Sequence, residues 1–176
     1  KIKIFCLDPS ALLKQYGKNY GSKIFFSATL SPIQYYKDML GGSVEDNHIS
    51  LPSPFSKEQT DVYIYPLSTR YREREQTSMH IALMLANLIE ERTGNYFVFF
   101  PSYKYMNIVY EEFLEECPKV PTIVQKPGMT EEERGTFLAT FDEKNNESLI
   151  GFAVMGGIFS EGIDLVGNRL NGVIIV

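Results

Sequence analysis

Residues 148–176 read Ser-Leu-Ile-Gly-Phe-Ala-Val-Met-Gly-Gly-Ile-Phe-Ser-Glu-Gly-Ile-Asp-Leu-Val-Gly-Asn-Arg-Leu-Asn-Gly-Val-Ile-Ile-Val, and this stretch decides the fold. The apolar run from Leu149 to Met155 is short, partly β-branched and followed by two glycines, so it predicts a buried strand. The run from Val173 to Val176 predicts a second buried strand. Polar residues follow the glycine turn between the two strands, where open α/β sheets build ligand sites.

Five residues of this connection are candidate functional residues: Gly157, Ser160, Glu161, Gly162 and Asp164. Glycines let the backbone turn with positive φ and approach a ligand closely. Glu161 and Asp164 are three residues apart, so on a helical turn they would share one face. A purely structural interpretation also fits each feature, because Gly-Gly is typical of a plain turn and Ser-Glu of a helix start.

Strand patterns alternate with helix patterns along the chain, which predicts a three-layer α/β domain with a mainly parallel sheet. The predicted strands are 1–7, 23–26, 62–65, 95–100, 121–125, 149–155 and 173–176. The predicted helices are 11–16, 33–40, 79–92, 103–116 and 134–141. The last of these helices follows a capping-box pattern formed by Thr130 and Glu133.

The composition sets limits on function. The chain has 176 residues, of which 44% are apolar and 22% charged, as expected for a globular domain, and it has no run of 18 apolar residues that would span a membrane. Cys6 and Cys117 have no metal-ligand spacing, and we expect a reducing, cytoplasmic setting. The net charge of −5 argues against strong autonomous binding to nucleic acid, so that role would need a local groove or another domain.

Two other segments hold candidates for contacts to nucleic acid. Segment 68–75 is the most basic short stretch, and Arg70 is its candidate; for Arg74, a solvated helix start with Arg–Glu pairs is the favoured interpretation. Ser102 and Tyr103 follow a fully apolar strand pattern. An aromatic side chain there could stack on a base, or it could be a core residue at a helix start, and both alternatives stay open.

Four strings in chain order carry a family resemblance. They are Leu-Asp-Pro-Ser at 7–10, Ser-Ala-Thr-Leu-Ser-Pro at 27–32, Phe-Phe-Pro-Ser-Tyr at 99–103 and Gly-Gly-Ile-Phe-Ser-Glu-Gly-Ile-Asp at 156–164. Together they resemble the XPD/DinG family of iron–sulfur superfamily 2 DNA helicases, whose motifs III, IV and V match the last three strings. The resemblance covers nearly the whole chain.

The resemblance implies a RecA-like (P-loop NTPase-type) fold, the second helicase lobe, truncated at its carboxyl-terminal end. Residues 1–176 would be part of that one domain, with 1–30 packing on the first lobe in the intact protein. In this family ATP binds between two RecA-like lobes and single-stranded DNA crosses both. The motif V candidates would therefore face the ATP cleft, and Asp164 would contact the nucleotide ribose or an arginine of motif VI.

The other motifs receive roles by the same resemblance. Ser27 and Thr29 of motif III would couple the ATP state to the nucleic acid. Ser102 and Tyr103 of motif IV, together with Arg70, would lie on the single-stranded DNA track.

Several parts of a complete motor are missing from this sequence. It has no Gly-x-x-x-x-Gly-Lys-Ser/Thr phosphate loop, and no carboxylate pair follows an apolar strand to hold Mg²⁺. Motif VI would lie beyond Val176, which closes a buried-type run and suggests a fragment. We expect the parent to be an ATP-dependent DNA helicase acting in DNA repair, with ATP and Mg²⁺ bound by the intact protein, and the fragment alone to be inactive. An iron–sulfur cluster, which the family resemblance implies, would be held elsewhere in the parent chain.

Another class of protein also fits the sequence. The chain could be an autonomous, non-catalytic α/β module whose glycine turn binds a small ligand or a protein partner; a helicase-derived regulatory protein without activity is a third interpretation. An autonomous binding module should form an enclosed pocket at its glycine turn. Half of a motor should present an open polar face there instead.

Overall fold

The structure is a computed structural model, and it describes residues 2–176. Its residues fall into two compact units, an amino-terminal unit that ends at Val62 and a carboxyl-terminal unit, Tyr63–Val176. Lys1, the first residue of the predicted strand 1–7, lies outside the described residues. The prediction that the whole chain belongs to one helicase domain stays a prediction.

The amino-terminal unit contains two short helices, α1 (Ser10–Tyr16) and α2 (Ile33–Met39), which confirms both helices expected there. Short 3₁₀ turns cover Gly17–Asn19 and Lys57–Gln59. Gly41, just past the end of α2, has a φ of +71°, and a Cβ at this position would lie 2.5 Å from the carbonyl oxygen of Ser10. Only glycine satisfies both constraints, so Gly41 lets the two helices approach each other.

The strands predicted at 1–7, 23–26 and 62–65 are wrong for the described residues, which have no regular structure there. Their apolar side chains are largely exposed; Ile24, for example, is 83% exposed. Alternating or β-branched residues raise the propensity for a strand, but a strand forms only when a neighbouring strand takes up its backbone hydrogen bonds. Every strand of the described chain pairs within the carboxyl-terminal unit instead.

The carboxyl-terminal unit contains a four-stranded sheet with the order β2-β3-β1-β4, and all of its strand pairs are parallel. In chain order its elements are α3 (Arg74–Glu91), β1 (Asn95–Phe100), α4 (Tyr103–Glu116), β2 (Thr122–Val124), α5 (Glu131–Ala139), β3 (Leu149–Val154) and β4 (Gly172–Ile175). Short 3₁₀ turns precede α3 at Tyr71–Glu73 and β4 at Gly167–Arg169. The predicted parallel α/β sheet is confirmed, and β1 and α4 have the bounds expected from sequence.

Helices cover both faces of this sheet, which makes three layers. The side chains of β1 alternate, so Val98 packs into a core with α3 and α4, whereas Phe97 packs against α5 on the opposite face. Phe97 stacks on Phe141, which follows α5, with ring centroids 4.9 Å apart and planes 5° apart. The fully apolar sequence of β1 is therefore explained by burial on both sides.

Strand β4 corrects the prediction of a buried strand at 173–176. It is the outermost strand on one side of the described sheet. Its burial alternates, since Ile174 packs into the core with α3 and α4, whereas Val173 is 53% and Ile175 is 73% exposed. An apolar run therefore does not distinguish a central strand from an edge strand. Every helix in the described part of the chain is too short or too polar to cross a lipid bilayer.

Candidate functional site at the carboxyl edge of the sheet

The candidate residues of the carboxyl-terminal unit gather at one edge of the sheet. Because all four strands are parallel, their carboxyl ends meet at the same edge. Ser102 and Tyr103 follow β1 there, Gln125 follows β2, and the loop 155–166, here called the glycine loop, follows β3. The structure thus brings together the candidates from motifs IV and V.

Three glycines shape the glycine loop. Gly156 and Gly162 have φ values of +70° and +67°, in the left-handed region that favours glycine. At Gly157, a Cβ would lie 2.8 Å from the Nε2 atom of Gln125, so a side chain there would displace that amide group. The loop therefore needs glycine at 156 and 162 for its own conformation, and glycine at 157 leaves room for Gln125.

The expectation that Glu161 and Asp164 share the face of a helical turn is wrong. The glycine loop contains no helix, and both residues lie in irregular backbone with exposed side chains. In a helix the carbonyl oxygens of Glu161 and Gly162 would accept hydrogen bonds from later backbone amides. Here they accept from the guanidinium group of Arg134 on α5. The left-handed φ of Gly162 also interrupts right-handed helical geometry.

Arg134 is the main polar anchor of the loop, and sequence reasoning missed it. Its Nε atom donates to the carbonyl oxygen of Ile158 at 2.9 Å, and its Nη2 atom donates to those of Gly162 at 2.9 Å and Glu161 at 3.3 Å. The side chain is 19% exposed, and Nη1 lies 3.7 Å from the Glu131 carboxylate. A cation in the first turns of a helix is electrostatically unfavourable, and this signal could have identified Arg134.

A capping box fixes the turn of α5 that carries Arg134. The Oγ1 atom of Thr130 accepts from the amide of Glu133 at 3.2 Å, and the amide of Thr130 donates to Oε2 of Glu133 at 2.7 Å. These bonds confirm the predicted capping box. The backbone hydrogen bond from Thr130, with help from its side chain, lowers the pKa of the Glu133 carboxyl below its ordinary value.

Phe159 anchors the glycine loop from the inside. Its side chain is 1% exposed, and its ring lies 4.3 Å from that of Phe137 and 5.7 Å from that of Phe97, measured between centroids. The next residues, Ser160 and Glu161, are exposed. The loop therefore has a packed base and a polar, open outer side that a ligand can reach.

Gln125 was also missed, and it connects the segments that follow three strands. The residue is 3% exposed. Its Oε1 atom accepts from the amide of Val154 at 2.9 Å, and its Nε2 atom donates to the hydroxyl of Tyr103 at 3.0 Å. Its own amide donates to the carbonyl oxygen of Phe152 at 2.8 Å. Nothing in the local sequence separates Gln125 from any polar residue that ends a strand.

The motif IV residues have structural contacts of their own. Ser102 is the N-cap of α4, and its Oγ atom accepts from the amide of Tyr105 at 3.3 Å. Tyr103 is half-buried against the core beneath α3 and α4, while its hydroxyl group bonds to Gln125. The ring of Tyr103 thus packs as the core alternative expects, and a contact of Tyr103 with nucleic acid stays a prediction.

The start of α3 lies at the same edge, and its basic segment differs from expectation. The predicted Arg–Glu pairing of Arg74 is wrong, since its guanidinium carbon lies 4.9 Å from the ring centroid of Tyr105 and 5.5 Å from that of Tyr71. Its Nε atom donates to the carbonyl oxygen of Thr69 at 3.1 Å. Arg70 is exposed just before this stacked group, where it is free to meet a ligand.

The motif III candidates lie in the amino-terminal unit. The Oγ atom of Ser27 lies 3.2 Å from Oγ1 of Thr29 and accepts from the amide of Thr29 at 3.2 Å. Both residues are exposed. The turn explains the small polar residues locally, and the coupling role stays a prediction.

Two cavities of the described chain lie away from the glycine loop. A cavity of about 650 Å³ lies at the opposite edge of the sheet, lined by residues that include Ile89, Cys117 and Ser148. A cavity of about 250 Å³ lies between α1 and α2. The glycine loop lines neither of these two cavities. Within residues 2–176, no three His, Cys, Asp or Glu side chains are placed to hold a metal ion together.

The parallel α/β fold and a match to a family model assign this chain to the helicase C-terminal domains. Residues 85–176, just over half of the chain, match the family model described as helicase C-terminal domain, and the chain belongs to this family. It is 25% identical over 194 residues to the ATP-dependent DNA helicase CHL1 of Debaryomyces hansenii. The aligned region covers 99% of this chain and 24% of the relative. The family predicted from the four sequence strings is confirmed.

The chain is also similar to other proteins. The chain is 26% identical over 201 residues to the ATP-dependent DNA helicase CHL1 of Scheffersomyces stipitis, covering 99% of this chain and 23% of the relative. A solved structure of XPD in its apo form is similar over 62% of this chain and 21% of that chain, with a TM-score of 0.48 and 23% identity. The chain spans about a quarter of the length of the curated relatives it matches.

Proposed function

We propose that this chain is the second motor lobe of an ATP-dependent DNA helicase, and that it contributes to the interlobe ATP cleft and to the single-stranded DNA track. The observation that carries the proposal is the motif V glycine loop of a helicase C-terminal domain, held at the carboxyl edge of a parallel sheet with its carboxylates exposed. The names of the relatives, which are ATP-dependent DNA helicases, support it.

The ATP side of the site is the outer surface of the glycine loop. Phe159 and Arg134 hold the loop from within, so Ser160, Glu161 and Asp164 remain open to a ligand. A carboxylate accepts hydrogen bonds both from hydroxyl groups and, more strongly, from a guanidinium group. Asp164 would accordingly contact either the nucleotide ribose or an arginine from the remainder of the protein.

The DNA side lies at the amino-terminal starts of α3 and α4, on the same edge. Arg70 is exposed and can pair with a backbone phosphate, which is the main source of affinity for nucleic acid. The Ser102 oxygen accepts the capping bond from Tyr105, so its proton is available to a phosphate oxygen. Tyr103 would add a hydroxyl or ring contact to the strand.

ATP hydrolysis requires sequence motifs that this chain does not contain. Phosphoryl transfer depends on a phosphate loop and on a Mg²⁺ ion held by carboxylates, and we assign both to the first RecA-like lobe of the same parent protein. We assign the iron–sulfur cluster to another segment of the parent, and expect the isolated chain to hydrolyse no ATP. The cytoplasmic setting and a role in DNA repair stay predictions.

The proposal is tested by replacing Asp164 in the intact protein. Asp164→Ala should lower DNA-stimulated ATP hydrolysis roughly ten- to hundredfold, because a lost hydrogen bond to a charged group is worth about 1.5–3 kcal/mol and 1.4 kcal/mol is a factor of ten. Glu143→Ala is the matched control, since Glu143 is an equally exposed acidic residue in the loop before β3, at the opposite edge. Equal turnover in both variants would remove the role of Asp164.

A further inference from the structure

We propose that Gln125 is a positioning residue that couples Tyr103, on the DNA side of the edge, to the glycine loop on the ATP side. The inference rests on the proposed function, which assigns those two sides. Gln125 itself would touch neither DNA nor ATP. It would act through the side chain and the backbone that its amide group joins.

The burial of Gln125 makes its hydrogen bonds directional. A primary amide that is 3% exposed has lost its water, and the loss is offset only if its donor and acceptor find partners. Nε2 reaches the Tyr103 hydroxyl at 3.0 Å, and Oε1 reaches the Val154 amide at 2.9 Å. The two bonds lie on different sides of one rigid planar group, so a displacement at either side is transmitted to the other.

The contact with Gly157 extends this connection to motif V. The Nε2 atom that bonds to Tyr103 also occupies the space where a side chain at position 157 would project, 2.8 Å from an ideal Cβ. Val154 is the last residue of β3, so its bond to Oε1 fixes the point at which the glycine loop leaves the sheet. A shift of Tyr103 therefore reaches both the start of the loop and its third residue.

A neutral amide at position 125 satisfies both partners without burying a charge. A carboxylate could only accept from the Tyr103 hydroxyl group and would bring its charge into a position that is 3% exposed, and an apolar side chain would leave the amide of Val154 without a partner. Methionine has nearly the volume and length of glutamine but forms neither bond. Gln125→Met therefore removes the connection while it preserves most of the packing.

Asn95 offers a matched control at the opposite edge of the sheet. It is 2% exposed, and its Nδ2 atom donates to the carbonyl oxygens of Asp142 at 2.9 Å and Asn168 at 3.1 Å. It is thus a buried, bonded amide of the same kind. Asn95 touches neither Tyr103 nor the glycine loop, so Asn95→Leu should lower stability without affecting the coupling.

The experiment measures ATP hydrolysis by the intact protein with and without single-stranded DNA, together with the melting temperature of each variant. We expect Gln125→Met to lower the stimulation ratio about tenfold, the factor that corresponds to 1.4 kcal/mol of lost coupling. Tyr103→Phe should lower it to a similar degree, and the double variant should fall no further, because both changes break one connection. Asn95→Leu should melt earlier and keep the wild-type ratio.

The outcomes separate the two claims. If the wild-type protein shows no stimulation by DNA, the proposed function fails and the coupling role fails with it. If the wild type is stimulated and both Gln125→Met and Tyr103→Phe retain the wild-type ratio, only the coupling role is overturned. Effects of the two substitutions that multiply in the double variant would also overturn it, since Tyr103 would then act independently. If Gln125→Met does not fold, Tyr103→Phe decides together with its affinity for single-stranded DNA: a lower stimulation ratio at wild-type affinity supports the coupling role, and a lower ratio explained by weaker DNA binding overturns it.

Discussion

The Nη2 atom of Arg134 lies 2.9 Å from the carbonyl oxygen of Gly162, a residue 28 positions further along the chain. The same guanidinium group also binds the carbonyl oxygen of Ile158 through Nε. One side chain on α5 thereby fixes both ends of a five-residue segment of the glycine loop. This arrangement explains how a loop without internal regular structure can hold its exposed carboxylates in place.

Removal of this anchor should loosen the loop. We expect Arg134→Ala to lower the free energy of unfolding by about 1–2 kcal/mol, since three carbonyl groups of the loop lose a charged donor. Amide hydrogen exchange across 156–166 should accelerate in the isolated chain. Arg134→Lys should restore only part of this effect, because an ammonium group lacks the planar fork that reaches several carbonyl groups.

Arg72→Ala serves as the control for this prediction, since Arg72 is an exposed arginine before α3. Exchange in the glycine loop should be unaffected by it. If Arg134→Ala gave the same exchange as the wild type, the anchor would have no effect on the loop.

Gly151 should not tolerate a side chain. A Cβ at this central position of β3 would lie 2.6 Å from Cζ of Phe141, whose ring stacks on Phe97. Gly151→Ala should therefore cost about 1–3 kcal/mol of stability through overpacking, measured by urea unfolding. Gly135→Ala is the matched control: a Cβ there meets nothing within 4 Å, and alanine in α5 should stabilise by up to about 1 kcal/mol. Equal effects of the two substitutions would contradict the packing.

The capping box of α5 should give a defined pH dependence. The hydrogen bonds from Thr130 lower the pKa of Glu133 in the folded chain, so the carboxylate stabilises the fold above its unfolded pKa. That contribution is lost as the pH falls through the lower, folded value. Glu133→Gln retains an acceptor for Thr130 but does not titrate. The difference in urea midpoint between wild type and variant should shrink between pH 7 and pH 3, and a constant difference would rule out the linkage.

The stacking of Arg74 makes a prediction that depends on salt. Its guanidinium group lies over the buried ring of Tyr105, so Arg74→Met should destabilise the chain by about 0.5–2 kcal/mol. Arg70→Met should leave stability unchanged, because Arg70 is exposed and lies outside the stack. Partly buried stacking is screened less than an exposed ion pair. Loss of the Arg74 effect in high salt would favour an ion pair over the stack.

The sequence was most informative where the determinants are local. The bounds of β1 and α4 follow from an apolar run buried on both faces and from the cap that Ser102 provides. The strand patterns at 1–7 and 23–26 had the propensity, but the described residues there lack a partner strand. Propensity without pairing does not make a sheet.

The candidate site also contains residues that local sequence identified and residues that it did not. Gly156 and Gly162 of motif V were recognised because their positive φ is a local property of the backbone. Gln125 and Arg134 were missed because their partners lie 29 and 28 residues further along the chain, at the amide of Val154 and the carbonyl group of Gly162. The helical turn expected at Glu161 was wrong for a related reason, since the carbonyl oxygen of Glu161 accepts a hydrogen bond from Arg134, which is distant in the chain.

The most direct measurement is ATP hydrolysis by the intact protein that contains this chain, with and without single-stranded DNA. A second motor lobe of a DNA helicase predicts hydrolysis that is strongly stimulated by DNA. A folded intact protein, with its cofactors in place, that hydrolyses no ATP or is indifferent to DNA would contradict that assignment.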